Sequence, residues 1–199
     1  NTSAKEQYAA TSDLFDRWRA DGVLRQDAEP SYYVMRHSFP RGGKDMVRVG
    51  LIASVGLEDY ETRQVLPHEF TQAPAIQDRV WLMESLSANI SPIMSIYRDA
   101  EGVLGQLYKQ VMSSAPEFDA KDESGNATSL WRIADPAVQN QIGEFFSNRP
   151  IYLADGHHRY EAARQYQLDR HAEDPSAKAA NLAHNFVMMT LISFDDPGL

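Results

Sequence analysis

Between Pro150 and Arg164 the chain passes from strand to helix without a loop, and this join limits the fold more than any other stretch. Pro150-Ile151-Tyr152-Leu153-Ala154 is a compact apolar strand. Asp155-Gly156 follows at once, and His157-His158-Arg159-Tyr160-Glu161-Ala162-Ala163-Arg164 reads as a helix. A strand that feeds a helix so abruptly needs a sheet with helices packed against it. Strands and helices also interleave elsewhere, so the expected class is α/β (α+β), a mixed sheet with surrounding helices.

Residues Ser3 to Ala20 predict an opening helix with Tyr8, Thr11, Phe15 and Trp18 on one face, closed at Asp21-Gly22. Tyr32 to Phe39 predicts a strand, and Val47, Val49, Leu51, Ala53, Val55 and Leu57 alternate as a second. A hairpin turn explains Arg41-Gly42-Gly43-Lys44 more simply than a phosphate loop does. Thr71 is the expected N-cap of a helix with Ile76, Val80, Met83 and Leu86 inward. Ile93 to Tyr97 reads as a strand, Val103 to Met112 as a helix, Pro116 to Thr128 as a polar loop and Leu130 to Ile133 as a short strand. Asp135-Pro136 opens a helix with Ile142, Phe145 and Phe146 inward. Asn185 to Phe194 is apolar on both faces, as a strand inside a covered sheet must be. The chain fits a single α/β domain, 1–199, in which 1–60 could form a helix-plus-hairpin subdomain. Its start at Asn1 and its stop just after a strand suggest a part excised from a longer chain.

Composition narrows the function. The formal net charge is -9, from 19 Lys and Arg against 28 Asp and Glu, which disfavours a protein that coats nucleic acid. Without cysteine there is no disulfide, thiolate nucleophile or Cys-based zinc site. No apolar run is long enough to span a bilayer and no signal-like segment is present, so no membrane partner and a cytoplasmic location are expected.

The strand–helix join carries the chemistry. A helix that starts at a strand end presents unpaired amides and the positive end of its dipole. Gly156 lets a ligand approach the backbone, while His157, His158 and Arg159 add side-chain donors. The Arg159 guanidinium can fork onto two phosphate oxygens. Asp155 could hold magnesium, orient a histidine or cap the helix. These are the parts of a phosphate or carboxylate cradle, although an ordinary cap with half-buried histidines would use the same residues. Adjacent histidines point to different helix faces, so His157 and His158 do not suit one metal ion.

Ala154-Asp155-Gly156-His157-His158-Arg159-Tyr160-Glu161-Ala162-Ala163 resembles the signature of the family called domain of unknown function 1015. Tyr60-Glu61, Val65 to Thr71, Asp78-Arg79, Ala88 to Ile93 and Asp195 to Leu199 resemble further blocks of it, so the resemblance spans the chain. The wider resemblance is to the ParB and sulfiredoxin superfamily, whose Gly-x-x-Arg motif at a helix start binds nucleotide phosphates. Gly156 and Arg159 match that spacing, which implies a ParB/sulfiredoxin-like core with insertions. Sulfiredoxin activity needs a cysteine that this chain lacks. Free serine kinases of the superfamily carry a similar Asp-Gly-His-His-Arg run, and an upstream glutamate is their base. By chain order that residue is Glu69, with His68 beside it; a helix N-terminal acid is the plainer reading of Glu69. Arg79 fits a second phosphate ligand or a surface ion pair, and Asn89 and Ser91 fit a pocket lining or a turn.

The resemblance thus implies a domain that binds ATP or ADP with Mg2+ and possesses kinase-like transfer to a small hydroxylated metabolite. In that role Glu69, Asp155 and His157 are catalytic, and Gly156, His157, His158 and Arg159 hold the phosphates. The partner is then a small-molecule nucleotide or phosphorylated metabolite. The alternative is a non-catalytic, nucleotide-responsive switch of ParB type.

Overall fold

A computed structural model describes residues 8–199. Its five α-helices among the described residues surround one eight-stranded sheet, with strand order β3-β7-β4-β8-β2-β1-β6-β5. The strands are β1 (Tyr32–Arg41), β2 (Lys44–Gly56), β3 (Val65–Leu66), β4 (Ile93–Tyr97), β5 (Phe118–Lys121), β6 (Ala127–Ile133), β7 (Ile151–Asp155) and β8 (Phe186–Ser193). The helices are α1 (Ala9–Ala20), α2 (Ala73–Leu86), α3 (Val103–Val111), α4 (Pro136–Phe146) and α5 (His157–Glu173). Only β3–β7 and β4–β8 pair in parallel; the remaining neighbours are antiparallel, so the sheet is mixed as expected.

Local chemistry accounts for most of these elements. Gly42 and Gly43 take φ +58° and +76°, which places both central residues of the β1–β2 turn in the left-handed region that a tight hairpin requires. The hairpin belongs to the same sheet as β7 and β4. Asp135 caps α4 by accepting the Ala137 amide at 2.9 Å, and Pro136 follows it. Buried Asp99 accepts the amides of Val103, Leu104 and Gly105 at 2.8, 3.0 and 3.1 Å, which gathers the free donors at the start of α3.

Strand β8 lies between β4 and β2, and Val187, Met189, Leu191, Thr190 and Ile192 on its two faces are all buried. On one face the core joins Leu51, Ile93, Leu153 and Met189 of the sheet to Leu104 and Tyr108 of α3 and Ile142 and Phe145 of α4. Helix α5 packs along α2 and contributes Tyr160 and Ala163 to that core. No helix among the described residues is long and apolar enough to cross a membrane.

Three expectations need correction. The stretch Pro116 to Thr128 is not all loop: it contains β5 and the start of β6, joined by a turn in which Asp122 accepts the Asn126 amide. Every residue of β5 is exposed, so its side chains carry no apolar alternation to read. The N-cap of α2 is Gln72 rather than Thr71, and Pro74 takes one of the first helical positions. Helix α1 does not bury the face of Tyr8, Thr11, Phe15 and Trp18, and none of its residues is buried. It leans on α2 through Tyr8 Oη, which donates to Asp78, and Ser12 Oγ, which donates to the Ser85 carbonyl at 3.2 Å. Residues 3–7 of the expected opening helix lie outside the described residues.

Candidate functional site

The junction between β7 and α5 forms as the sequence predicts, and it shapes a cleft. The pairing of β7 with β4 is bulged at its end: Met94 pairs with Asp155 and Ser95 with Leu153, which leaves Ala154 of β7 as the extra residue beside Asp155, the last residue of the strand. Gly156 is then the N-cap, with φ +94° and no capping side chain, so the amides of His157 and His158 face outward without a side-chain acceptor. The Gly156 carbonyl closes the first turn by accepting the amides of Arg159 and Tyr160 at 2.9 and 3.0 Å.

Arg159 folds back across its own helix start. Its guanidinium donates to Ser91 Oγ at 2.9 Å, to the Pro92 carbonyl, and to Asp155 Oδ2 at 2.8 Å. A Cβ on residue 156 would lie 2.8 Å from Nη2 and 2.9 Å from Nε, so the guanidinium rests directly on the glycine. This contact gives the Gly-x-x-Arg spacing a physical reason: the arginine one turn into the helix needs a bare Cα beneath it. Of the three roles open to Asp155, the observed contact is a fourth, pairing with Arg159.

The two histidines latch the segment before α2 onto the helix start. His157 Nε2 accepts the His68 amide at 3.2 Å, and His158 Nε2 accepts the Gln72 amide at 3.2 Å. Those lone pairs are therefore spent within the protein, and toward an anion these residues offer backbone amides and Nδ1–H groups. His68 turns its own Nδ1 to the Leu153 carbonyl, 2.7 Å away, and its ring meets His157 edge-on at 4.5 Å. The histidine pair thereby connects the end of β7, the start of α5 and the strap ahead of α2.

His157 is 1% exposed, and its Nδ1 lies 3.1 Å from Glu69 Oε1. The approach is close but not aligned, which leaves Nδ1 a buried polar atom without a hydrogen bond. Burial lowers the His157 pKa from its ordinary value, and the Glu69 charge opposes that shift only in part. The ring is neutral at pH 7, with its proton on Nδ1 because Nε2 accepts. Glu69 lies four residues before α2 begins and is half exposed, so its nearest structural partner is His157 rather than a helix dipole.

Ligand atoms of His68, Glu69 and His157 come within 4.8 Å of one another, close enough to suggest a metal. The tautomers argue otherwise. Nδ1 of His157 carries the proton while Nε2 holds the strap amide, so His157 has no lone pair left for an ion. Asp155 is not a member of this group.

A cleft of about 440 Å³ opens here, with Glu69, Arg79, Asn89, Ser91 and Asp155 to Arg159 in its lining. The structure thus brings both polar blocks of the sequence into one site, with His68 just behind His157. Leu82, Met83, Ala88, Ile90 and Val187 form an apolar wall that the sequence reading missed. The spacing of Arg79, Leu82 and Met83, at i, i+3 and i+4 on one helix, was the available signal. A smaller cavity of about 290 Å³ lies under α4 against β2 and β3. It holds none of the candidate site residues, and its Arg149 is committed to the Phe145 carbonyl and ring.

No curated protein and no solved structure matches the chain. The family described as "Protein of unknown function (DUF1015)" matches residues 1–199 in full. The chain therefore belongs to the DUF1015 family.

Proposed function

We propose that the cleft binds the phosphates of ATP or ADP and that the protein transfers a phosphoryl group to a small hydroxylated metabolite. The observation that carries this reading is Glu69, 3.1 Å from the buried Nδ1 of His157, on the lining of the same cleft as the uncapped start of α5. Helix amides suit a phosphate, and a partly exposed carboxylate beside them suits a base. The resemblance of Gly156 and Arg159 to the ParB and sulfiredoxin motif, and of the Asp-Gly-His-His-Arg run to free serine kinases, supports the same choice. A hydroxy amino acid such as serine is the first acceptor to test.

In the transfer, the acceptor oxygen attacks the terminal phosphorus while Glu69 takes the hydroxyl proton. The bond from that phosphorus to the bridging oxygen breaks, and the shortened nucleotide leaves with the electron pair. His157 faces Glu69 with Nδ1–H across 3.1 Å, and its Nε2 holds the His68 amide next to that carboxylate. Asp155, exposed on the lining with one oxygen given to Arg159, would hold magnesium, which neutralises phosphate charge when bound.

The test is 31P NMR of the protein with ATP or ADP, Mg2+ and a panel of hydroxylated metabolites led by free serine. The expected result is a new phosphomonoester signal. Glu69→Gln should slow its appearance by about 10²–10⁴-fold, the usual worth of a positioned base, and change nucleotide affinity only a few-fold. Nucleotide binding without transfer would replace the enzyme reading with a nucleotide-responsive module. Undiminished transfer by Glu69→Gln would remove Glu69 from the mechanism.

A further inference from the structure

The charges of the cleft do not balance evenly. Asp155 and Arg159 neutralise each other at 2.8 Å, and the Arg159 guanidinium is also tied to Ser91 and the Pro92 carbonyl. Glu69 faces a neutral ring. Arg79 lines the same cleft from α2, exposed, and among the described residues it has neither an ion pair nor a hydrogen bond. Its neighbour Asp78 is engaged by the Tyr8 hydroxyl instead.

An incoming phosphate would meet the Glu69 carboxylate with only the helix amides in its favour unless a cation joined them. We propose that Arg79 is that cation, the group that meets the charge of a phosphate bound at the start of α5, while Arg159 is a positioning residue. This deepens the phosphate-binding part of the function proposed above. Arg159 holds the Ala88–Pro92 loop against the helix start and so shapes the cleft; Arg79 is unencumbered and can turn onto the ligand. The helix start has a second mark of a ligand site in His157 Nδ1, a buried donor on the cleft lining with no acceptor. Leu82 and Met83, on the same helix face as Arg79, would lie beneath the rest of the bound molecule.

Inorganic phosphate is the probe, because it needs neither a nucleotide nor an acceptor. Its affinity is read by titration calorimetry or by 15N-labelled protein NMR, on wild type, Arg79→Gln, Arg79→Lys and Arg159→Lys. Arg79→Gln should weaken phosphate binding about tenfold or more, equivalent to about 1.4 kcal/mol, with an unliganded Tm like that of wild type. Arg79→Lys should recover most of the affinity, since charge rather than a fork is required. Arg159→Lys should lower the unliganded Tm, as a brace must when its geometry is lost. Wild-type affinity in Arg79→Gln, or no phosphate binding by wild type, would overturn the assignment of Arg79. Loss of phosphate binding in Arg159→Lys at unchanged Tm would overturn the brace. Arg79-dependent phosphate binding in a protein that transfers no phosphoryl group would leave this inference standing and sink the enzyme reading alone.

Discussion

Gly156→Ala tests the architecture of the site with one methyl group. The backbone at this position has φ +94°, and an L side chain in the left-handed region costs about 1–2 kcal/mol. The new Cβ would also stand 2.8 Å from Arg159 Nη2, 2.9 Å from Nε and 3.0 Å from Cζ, so the guanidinium must lift away. Lifting it breaks the bonds to Ser91 and the Pro92 carbonyl, each contributing about 0.5–1.5 kcal/mol net. The exposed Asp155 pair adds little, about 0–1 kcal/mol. The expected loss is about 2–6 kcal/mol, or a fall in Tm of roughly 4–24 °C for a domain of this size. Gly43→Ala is the internal control: its φ is +76°, but nothing lies within 4 Å of its would-be Cβ, so only the backbone cost applies. Urea denaturation followed by tryptophan fluorescence measures both variants. Equal losses, within about 0.5 kcal/mol given the usual spread of such comparisons, would refute the claim that Arg159 rests on Gly156.

Two further outcomes follow from buried groups. The folded-state pKa of His157 is lowered, so the unfolded chain takes up a proton near the ordinary value of 6.5 while the folded protein does not. The stability from neutral His157 is therefore fully present above that pH and is lost as pH falls below it, toward the folded-state value. His157→Gln should flatten this acid limb in denaturation curves collected from pH 7 to pH 5, and parallel curves would contradict the assignment. Tyr160 is 0% exposed, and its hydroxyl donates to the Glu58 carbonyl at 2.8 Å and accepts the Glu58 amide at 3.0 Å. Tyr160→Phe should cost about 1–3 kcal/mol in chemical denaturation because it orphans backbone groups; a change below about 0.5 kcal/mol, the size of an ordinary surface effect, would show that water replaces them.

The parts of this protein that were legible in the sequence are those governed by neighbours along the chain. The β1–β2 turn follows from two glycines, the start of α4 from Asp135-Pro136, and the β7–α5 junction from an apolar run that meets Gly156. The grouping of Glu69, Arg79, Asn89 and Ser91 with Asp155 to Arg159 was anticipated from resemblance rather than from spacing. What each group does there was not legible. Arg159 looks free in sequence, but Ser91 and Pro92, nearly seventy residues earlier, take up its donors. His157 and His158 look like donors, but the fold uses their Nε2 atoms as acceptors for amides of a distant strap. Strand β5 was invisible because an exposed edge strand needs no apolar face, and α1 misled because its aromatic spacing suits a helix without being buried.

Strand β8 sets the order in which this sheet can be completed. Among the described residues it is the only strand that links the β3-β7-β4 half, which supplies Asp155 to the cleft, with the β2-β1-β6-β5 half, and it follows the seven other strands described. During synthesis both halves must wait with an open edge, β4 on one side and β2 on the other, until residues 186–193 leave the ribosome. Open edges of this kind template pairing with other chains. The closing step also joins residues far apart in sequence, such as Leu51 and Leu191, so it is entropically slow. A chain truncated before Phe186 would keep Glu69, Arg79 and Asp155 to Arg159 but lack the strand that joins their half of the sheet to the other. Its hazard would be aggregation through two bare edges rather than a lack of local structure.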